Sequence, residues 1–169
     1  MTIAYRAAIA DDAAALAQLF ADVFTETFGD LYDPADLAAF LSGHSKPHWA
    51  DQVGDSAFAV RLAEADRAAA GYAKLGPLRL PVEPARPALE LRQLYVAGPW
   101  RGAGIAAALM DWTIAEARLR GAGELYLSVF TQNPRARRFY SRYGFEEVGP
   151  YHFMVGNHAD EDVIMRLGL

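Results

Sequence analysis

The sequence predicts a single domain of the α/β class. A length of 169 residues is typical of one domain, and 53% hydrophobic with 22% charged residues is the composition of a globular chain. Hydrophobic residues recur at helical spacing in some segments and with a period of two in others. Near the middle of the chain a glycine-rich turn joins a strand to a long helix, and another strand follows. We therefore expect residues 1–169 to fold as one unit.

The N-terminal segments are predicted to be a strand and a long helix. Ile3–Arg6 is a short apolar run that predicts the strand, and Asp11 is a good N-cap residue for the helix after it. Gly29 is expected to end this helix. The buried face follows the i, i+3, i+4, i+7 spacing and contains Leu16, Leu19, Phe20, Val23, Phe24, Thr27 and Phe28.

A second helix is predicted to begin at Asp33-Pro34. Asp is a favoured cap, and Pro loses nothing at the first helical position, where its missing N–H would have no partner. This helix is expected to end at Gly43, and a shorter turn covers Pro47–Val53. Its buried side contains Leu37, Phe40 and Leu41.

From Ala57 the hydrophobic period changes to two, which indicates strands. Phe58, Val60 and Leu62 alternate with smaller or polar residues, and a second strand is predicted at Gly71–Leu75. The two strands are expected to pair as an antiparallel hairpin. Residues 76–87 hold four of the nine prolines and therefore predict a loop.

The second half of the chain predicts a strand–helix–strand unit and a capped helix. Strands are expected at Ala88–Val96 and Glu124–Val129, with a helix over Arg101–Arg120 between them. The buried side of that helix is expected to contain Ile105, Ala108, Leu109, Trp112 and Leu119.

The last predicted helix opens at Asn133-Pro134 and ends at Gly144. Two final strands are predicted near Phe145–Val148 and Val163–Leu167. The inner side of the helix is expected to contain Ala136, Phe139, Tyr140 and Tyr143.

Composition excludes several classes of function. The chain contains no Cys, so disulfides, thiolate metal sites and a Cys nucleophile are excluded. A net charge of −5 argues against a nucleic-acid partner, because neutralising phosphates needs an excess of basic residues. A cationic partner fits this charge better. No targeting segment and no run of about 20 apolar residues is present, so we expect a cytoplasmic protein without a membrane partner.

The most informative segment is the glycine-rich turn between Leu94 and Ala106. Such a turn at the start of a helix directs free N–H groups outward and binds anions, and Arg101 adds a charged donor. The turn lacks the Gly-Lys-Ser/Thr ending of a P-loop and the later Gly and acidic residue of the dinucleotide motif. A glycine-rich connector without a ligand is the alternative.

A second motif, at the next strand–helix junction, indicates a function for the turn. Arg101-x-x-Gly104-x-Ala106, followed by Asn133-x-x-Ala136-x-x-x-Tyr140, resembles the GNAT-type N-acetyltransferases, which transfer acetyl from acetyl-CoA to amines. The resemblance covers nearly the whole chain and includes the order of the elements. It implies a central mixed, mostly antiparallel sheet flanked by helices. That sheet would be splayed where the strand ending at Val96 parts from the one ending at Val129, with acetyl-CoA in the opening.

The resemblance also implies roles for individual residues. The backbone of Leu94, Tyr95 and Val96 would meet the pantetheine arm, and one of its N–H groups would polarise the thioester carbonyl. Asn133 would contact the pantetheine side, and Tyr140 would be the general acid, because a phenol is protonated at neutral pH. The pyrophosphate would be held by Arg101, Gly102, Ala103, Gly104, Ile105 and Ala106. For Tyr140 the alternative is a core aromatic beside Phe139 and Tyr143.

The base that deprotonates the incoming amine is less clearly indicated. Glu90, on the strand that leads to Leu94, is a candidate, either directly or through water. The alternative is a solvated strand residue that pairs with Arg92. Without a Cys, direct transfer to a primary amine is favoured over an acyl-protein intermediate.

The amine substrate is suggested by a weaker resemblance. The PaiA-like branch, which acetylates polyamines such as spermidine and spermine, is resembled in two places. These are Thr27-Phe28-Gly29 with Tyr32 and Asp36-Leu37, and the ending Phe153-x-Val155-Gly156 and Asp160-x-Asp162-x-Ile164-Met165. Acidic residues near the first two helices would attract a polyamine, unless they are only a solvated face. These residues are Glu26, Asp30, Asp33 and Asp36.

Two other functions stay open: an acetyltransferase for protein or peptide amines, and a non-catalytic acetyl-CoA-binding regulatory module. The sequence also leaves open whether the chain forms a homodimer. No metal site is expected. His44 and His48 have the spacing of a metal pair, but Pro47 interrupts the helix that would align them, and nothing fixes ligand geometry around His152 and His158.

Overall fold

In the computed structural model, which describes residues 2–169, seven strands form one sheet and five α-helices cover it. The strands are β1 (Ile3–Ala7), β2 (Ala59–Ala65), β3 (Ala68–Pro77), β4 (Ala88–Val96), β5 (Glu124–Phe130), β6 (Glu146–Val155) and β7 (His158–Gly168). The helices are α1 (Ala13–Phe28), α2 (Pro34–Ser42), α3 (Lys46–Gly54), α4 (Ile105–Leu119) and α5 (Pro134–Arg142). The spatial order of the strands is β1-β2-β3-β4-β5-β7-β6.

The sheet is mixed and divided at its centre. Neighbouring strands are antiparallel except β4 and β5, which run parallel and pair only where Ala88–Glu90 meets Glu124–Tyr126. Beyond those three pairs the two strands diverge toward their C-terminal ends. This confirms the predicted fold, in which a mostly antiparallel sheet is splayed between β4 and β5.

The two faces of the sheet are covered by different helices. Ile105 and Leu109 of α4 pack against Leu75 and Leu91 in one buried core. On the opposite face, α1 and α3 pack against β2 and β3 in a second core, whose centre is the fully buried Trp49. The aliphatic face predicted for α1 lies in this second core, with Leu16, Leu19, Phe20, Val23 and Phe24 buried.

Three details differ from the sequence expectations near helix ends. Asp11 does not cap α1, because a short 3₁₀ turn precedes the helix and the carboxylate of Asp12 accepts the backbone N–H of Ile9 at 2.7 Å. Helix α4 begins at Ile105 rather than Arg101, since positive φ angles interrupt the turn before it. Leu119, predicted to be buried, is 82% exposed, because the last turn of α4 extends past the sheet.

The C-terminal hairpin is much longer than predicted. Strands expected near Phe145–Val148 and Val163–Leu167 extend to a tight turn at Gly156, and β7 lies between β5 and β6. Charged residues and Pro150 hide the alternation of these strands in the sequence. Among the helices within residues 2–169, none has both the length and the apolar character needed to cross a membrane.

Candidate active site

A cavity of about 710 Å³ lies where β4 and β5 diverge. Its walls come from both sides of the sheet. One part lies between β4, β5, α4 and α5, and the other lies beneath α1 and α2 and reaches β3 and β7. Every site residue predicted from the sequence lines this cavity except Ala103, which lies in the same turn as its neighbours but does not face the opening.

The turn before α4 presents backbone donors to the cavity. Gly104 is the N-cap residue of α4 with φ +83°, and Gly102 has φ +84°, a region that residues with a Cβ rarely adopt. No atom lies within 4 Å of the position that a Cβ would take at either glycine. The first N–H groups of α4 therefore face open space together with the positive end of the helix dipole, which is the arrangement that binds anions.

Arginines add positive charge around this turn. The Nε–H of Arg101 donates to the carbonyl of Val96 at 3.3 Å, and its guanidinium lies 3.5 Å from the carboxylate of Glu26. Arg135 and Arg142 of α5 also line the cavity. The sequence analysis did not single out these two residues, although a helix with basic residues beside an anion-binding turn is a usable signal.

The edge of β4 presents further donors to the gap. The N–H of Ala97 donates to the carbonyl of Ala70 at 2.8 Å and so points toward β3. Because successive N–H groups of a strand point to alternate sides, those of Leu94 and Val96 point away from β3, toward the gap that β5 leaves open. The side chain of Tyr95 stacks on Phe20 at a centroid distance of 5.8 Å and anchors the strand from the other face.

Helix α5 brings the second predicted motif to the same cavity. The Oδ1 of Asn133 accepts the N–H of Ala136 at 3.2 Å and caps the helix, and the amide nitrogen of Asn133 remains a donor. Tyr140 is half-buried, and burial raises the pKa of its phenol to about 12. Within the described part of the chain, its hydroxyl makes no hydrogen bond.

Glu90 lines the cavity but is engaged on both sides of its carboxylate. Oε1 accepts the backbone N–H groups of Arg79 at 3.0 Å and Leu80 at 3.3 Å, and Oε2 lies 3.4 Å from the Nε of Arg92. Burial raises the pKa of Glu90, while these donors oppose the increase. Glu90 pairs with Arg92 as the alternative expected, but it is 8% exposed rather than solvated, because its carboxylate accepts backbone N–H groups of the loop after β3.

Two buried acids of β7 lie in the cavity, and the sequence analysis had not assigned them to the site. Asp160 and Asp162 are 7% and 8% exposed and lie on one face of the strand. Asp160 accepts a hydrogen bond from the hydroxyl of Tyr32, and the Nε2 of His158 lies 3.2 Å from its other oxygen. Burial, and then the negative charge of Asp160, raise the pKa of Asp162 to about 7. The spacing of two acids in a strand was the available signal.

Aromatic rings form the wall around these acids. The ring of Phe24 lies 4.7 Å from Phe40 and 5.9 Å from Tyr32 between centroids, and Phe153 of β6 closes the wall at 5.7 Å from Phe40. By contrast, the acidic residues from which polyamine attraction was inferred do not line the cavity. Those residues are Glu26, Asp30, Asp33 and Asp36.

The two N-terminal histidines also face the cavity. The ring of His44 stacks on Phe20 at 4.3 Å, and the centroids of His44 and His48 are 5.3 Å apart. Burial lowers the pKa of both imidazoles, so they are neutral at pH 7. No cluster of three or more His, Asp or Glu side chains that could hold a metal ion is found between residues 2 and 169.

Comparison with known proteins agrees with this geometry. The model of the Acetyltransferase (GNAT) family matches residues 13–145. An uncharacterised N-acetyltransferase of Mycobacterium tuberculosis is 32% identical over 155 residues, which cover 91% of this chain and 96% of that protein.

Solved structures show the same fold. PaiA N-acetyltransferase from Thermoplasma acidophilum, solved in complex with coenzyme A, has a TM-score of 0.80 at 20% identity and covers 100% of both chains. Ribosomal-protein-alanine N-acetyltransferase from Brucella melitensis has a TM-score of 0.75 at 28% identity, over 98% of this chain and 99% of that one.

Proposed function

Since the chain belongs to the acetyltransferase (GNAT) family and is an N-acetyltransferase that uses acetyl-CoA, we propose that it acetylates a small primary amine held in the cavity at Asp160 and Asp162. The observation that carries the proposal is this pair of buried acids inside an aromatic wall, in the same cavity as the β4 edge and Tyr140. Acetyl-CoA, when bound, supplies an acetyl group activated as a thioester.

The residues present fit coenzyme A. The glycine turn at Gly102 and Gly104 accepts a pyrophosphate, because Gly104, Ile105 and Ala106 line the cavity at the start of α4, where the first N–H groups have no partner within the helix. Arg101, Arg135 and Arg142 balance its negative charge. Asn133 donates from its amide nitrogen toward the pantetheine arm.

The β4 edge stabilises charge during the transfer. The N–H groups of Leu94 and Val96 donate to the carbonyl oxygen of the acetyl group, where negative charge develops as the amine attacks. Both groups are held by a strand whose side chains are packed on each face, so they need no rearrangement. The amine nitrogen bonds to the acetyl carbon while the bond from that carbon to sulfur breaks.

Tyr140 supplies the proton for the leaving group. A phenol with a pKa of about 12 is fully protonated at neutral pH, and its hydroxyl has no competing partner among residues 2–169. It therefore donates its proton to the thiolate sulfur.

Asp162 takes the proton from the amine. An amine with the pKa of lysine arrives as an ammonium ion and cannot attack until it is deprotonated. With a pKa of about 7, Asp162 is partly ionised at neutral pH and is a stronger base than an ordinary carboxylate. We assign this role to Asp162 rather than Glu90, because Oε1 of Glu90 already accepts two backbone N–H groups and Oε2 lies 3.4 Å from the Nε of Arg92.

The ammonium form of the substrate is recognised before it reacts. Two carboxyl groups attract the positive charge, and the faces of Phe24, Tyr32 and Phe40 add cation–π attraction. A polyamine such as spermidine has the required ammonium group and is one candidate. The N-terminal amine of a peptide is the second candidate, favoured by the 28% identity with an enzyme named for ribosomal-protein alanine.

Release of the CoA thiol by purified protein tests these proposals. Acetyl-CoA is supplied with spermidine, spermine, free amino acids or peptides that begin with alanine. Release with small amines supports the proposal, whereas release with peptides alone favours the second candidate. Tight binding of acetyl-CoA without release from any amine would indicate a regulatory module. In the Asp162→Asn variant we expect the amine-dependent rate to fall while CoA binding is retained.

A further inference from the structure

The substrate cavity contains a second charged region, opposite in sign to the acids of β7. Lys74 of β3, Arg79 of the following loop and Arg92 of β4 line the cavity and form what we call the basic cluster. The cluster also contains one acidic residue, Glu90 of β4, which pairs with Arg92. The cluster thus contains three basic side chains and one acidic side chain.

Lys74 is the most unusual member of the cluster. It is 3% exposed, its Nζ donates to the Oε1 of Gln52 at 2.6 Å, and it lies 4.5 Å from the ring centroid of Trp49. It forms no ion pair within residues 2–169. One of the three N–H donors is used by Gln52, and the other two have no hydrogen-bond partner among the described residues, although Lys74 is almost fully buried.

The other two members leave room for an anion. Arg92 is the extra residue of a β-bulge in β4, and its guanidinium donates to the carbonyl of Pro77 at 2.6 Å and 3.0 Å while facing Glu90. Arg79 is exposed at the cavity wall and has no ion pair in the part of the chain that the structure describes. Arg92 is thus fixed by the fold, whereas Lys74 and Arg79 are available to a ligand.

A purely structural role does not explain Lys74. An ammonium group buried without a counter-ion destabilises a fold, and a methionine of similar shape would fill the same space without that cost. Burial, and then the charges of Arg92 and Arg79, lower the pKa of Lys74 to about 7, which shows that all three groups act on one region. An anion placed there would restore the full charge of Lys74 and pair with it.

We infer that the amine substrate also carries an anionic group, a carboxylate or a phosphate, which binds at Lys74 and Arg79 while the ammonium group binds at Asp160 and Asp162. This inference rests on the proposed function and narrows its substrate class. It disfavours a polyamine, because a second ammonium group directed toward Lys74 would be repelled.

Matched pairs of amines test the inference through binding, without reliance on turnover. Calorimetry on the protein saturated with CoA compares phenylalanine with phenethylamine, lysine with cadaverine, and phosphoethanolamine with ethanolamine. In each pair the two amines differ by the anionic group. We expect the anionic member of at least one pair to bind tenfold or more tightly than its partner. The two pairs that contain an amino acid test a carboxylate, and the pair that contains phosphoethanolamine tests a phosphate.

Variants then test whether the preference for the anionic amine depends on Lys74. Lys74→Met is expected to abolish the advantage of the anionic amine, because the other amine of each pair has no anionic group for Lys74 to bind. Lys46→Met is the matched control, because Lys46 is the other lysine of the chain and is exposed at the start of α3. Arg79→Met, at an exposed position, gives the same test if Lys74→Met does not fold.

Three results would overturn the inference. They are equal or weaker binding of every anionic amine, equal losses for both members of a pair in Lys74→Met, and weakened binding of CoA itself in that variant. Thiol release measured on the same amines separates this inference from the proposed function. Acetylation only of spermidine or of amines without an anionic group would support the proposed function and contradict the inference that the substrate is anionic. Binding of an anionic amine through Lys74 with no thiol release from any amine would contradict the function instead.

Discussion

Burial acts on Tyr140 and Asp162 in the same direction but leaves them in different protonation states. It raises the pKa of both groups, to about 12 for the phenol and about 7 for the carboxyl. The phenol therefore holds its proton at every physiological pH, whereas the carboxyl exchanges its proton near neutrality. One water-poor cavity thus provides a proton donor and a proton acceptor.

Replacing Tyr140 with Phe removes the donor and little else. We expect kcat to fall by about 10²-fold, the usual contribution of a general acid, while CoA affinity stays nearly unchanged. Stopped assays of thiol release and calorimetry with CoA measure the two quantities. Tyr143→Phe is the control from the same helix, because its hydroxyl donates to the carbonyl of Ala107 at 3.2 Å and does not face the cavity. Equal rates in wild type and Tyr140→Phe would remove Tyr140 from the mechanism.

The pH dependence of the reaction tests Asp162. A base is active when deprotonated, so kcat/KM should rise with pH with a midpoint near pH 7 and reach a plateau about one unit higher. Asp160→Asn removes the neighbouring negative charge that raises the pKa of Asp162, so the midpoint should move to lower pH. Asp162→Asn should lose this limb of the profile. A midpoint unaffected by Asp160→Asn would show that another group titrates.

Sequence reasoning identified Tyr140 but not Asp162, and the reason is physical. Tyr140 belongs to a motif contained within eight residues, from the cap at Asn133 to the third turn of one helix. The pKa of Asp162 depends on burial against β5, α1 and Tyr32, which are distant in the chain. A strand with alternating acids looks solvated until the neighbouring strands are placed on both sides of it.

At the scale of elements, the junction between β4 and α4 is where we propose that the cofactor binds. A strand edge without a partner and a helix N-terminus meet there through two glycines, Gly102 and Gly104, with positive φ angles. These features are local, so the glycine pattern was sufficient to predict them. The exact start of α4 was not predicted, because the same glycines delay the first helical residue to Ile105.

Gly104→Ala tests whether the conformation of this junction serves the cofactor. A Cβ at φ +83° strains the backbone by about 1–2 kcal/mol, and relief of that strain turns the N–H groups away from their anion-binding direction. We expect weaker CoA binding in calorimetry, and Gly104→Glu should abolish binding by charge repulsion.

Gly121→Ala provides the matched control at the other end of the same helix. Gly121 has φ +84° and equally open surroundings, but it does not line the cavity. We expect a similar loss of stability with unchanged CoA affinity. If the two alanine variants bound CoA equally well, the glycine turn would not be the phosphate site.

The hairpin of β6 and β7 shows what local patterns cannot supply. Its apolar residues were recognised near Phe145 and Val163, but the middle of β7 carries His158, Asp160 and Asp162. Polar residues are acceptable there because one face of β7 borders the cavity rather than the core. This departure from alternation coincides with the proposed active site. In the sequence analysis it was interpreted as the end of a strand.

For the molecule as a whole, the decisive feature is the gap between β4 and β5. Every other neighbouring pair in the sheet is antiparallel and extends over at least five residue pairs, whereas β4 and β5 share three. No residue of either strand encodes the gap alone. β7 pairs with β5 along its whole length, whereas β4 pairs only with the first three residues of β5, so the gap was predicted through family resemblance rather than from periodicity.

Charged side chains line the cavity inside the protein. The free-energy cost of burying one of them can be measured at Lys74. Its pKa falls from the ordinary 10.5 to about 7, so the folded state binds fewer protons than the unfolded state between those values. Stability therefore rises with pH across this window, and the full cost of the buried ammonium is present below about pH 7. The cost is on the order of a few kcal/mol.

Lys74→Met is accordingly expected to be more stable than the wild type at pH 6, and its advantage should shrink as the pH approaches 10.5. Urea unfolding at several pH values measures both quantities, and Lys46→Met should show no pH-dependent gain. A less stable Lys74→Met at pH 6 would mean that the contacts with Gln52 and Trp49 support the fold. A gain would mean that the chain keeps a destabilising charge in its substrate cavity, which is the energetic signature of a residue retained for binding.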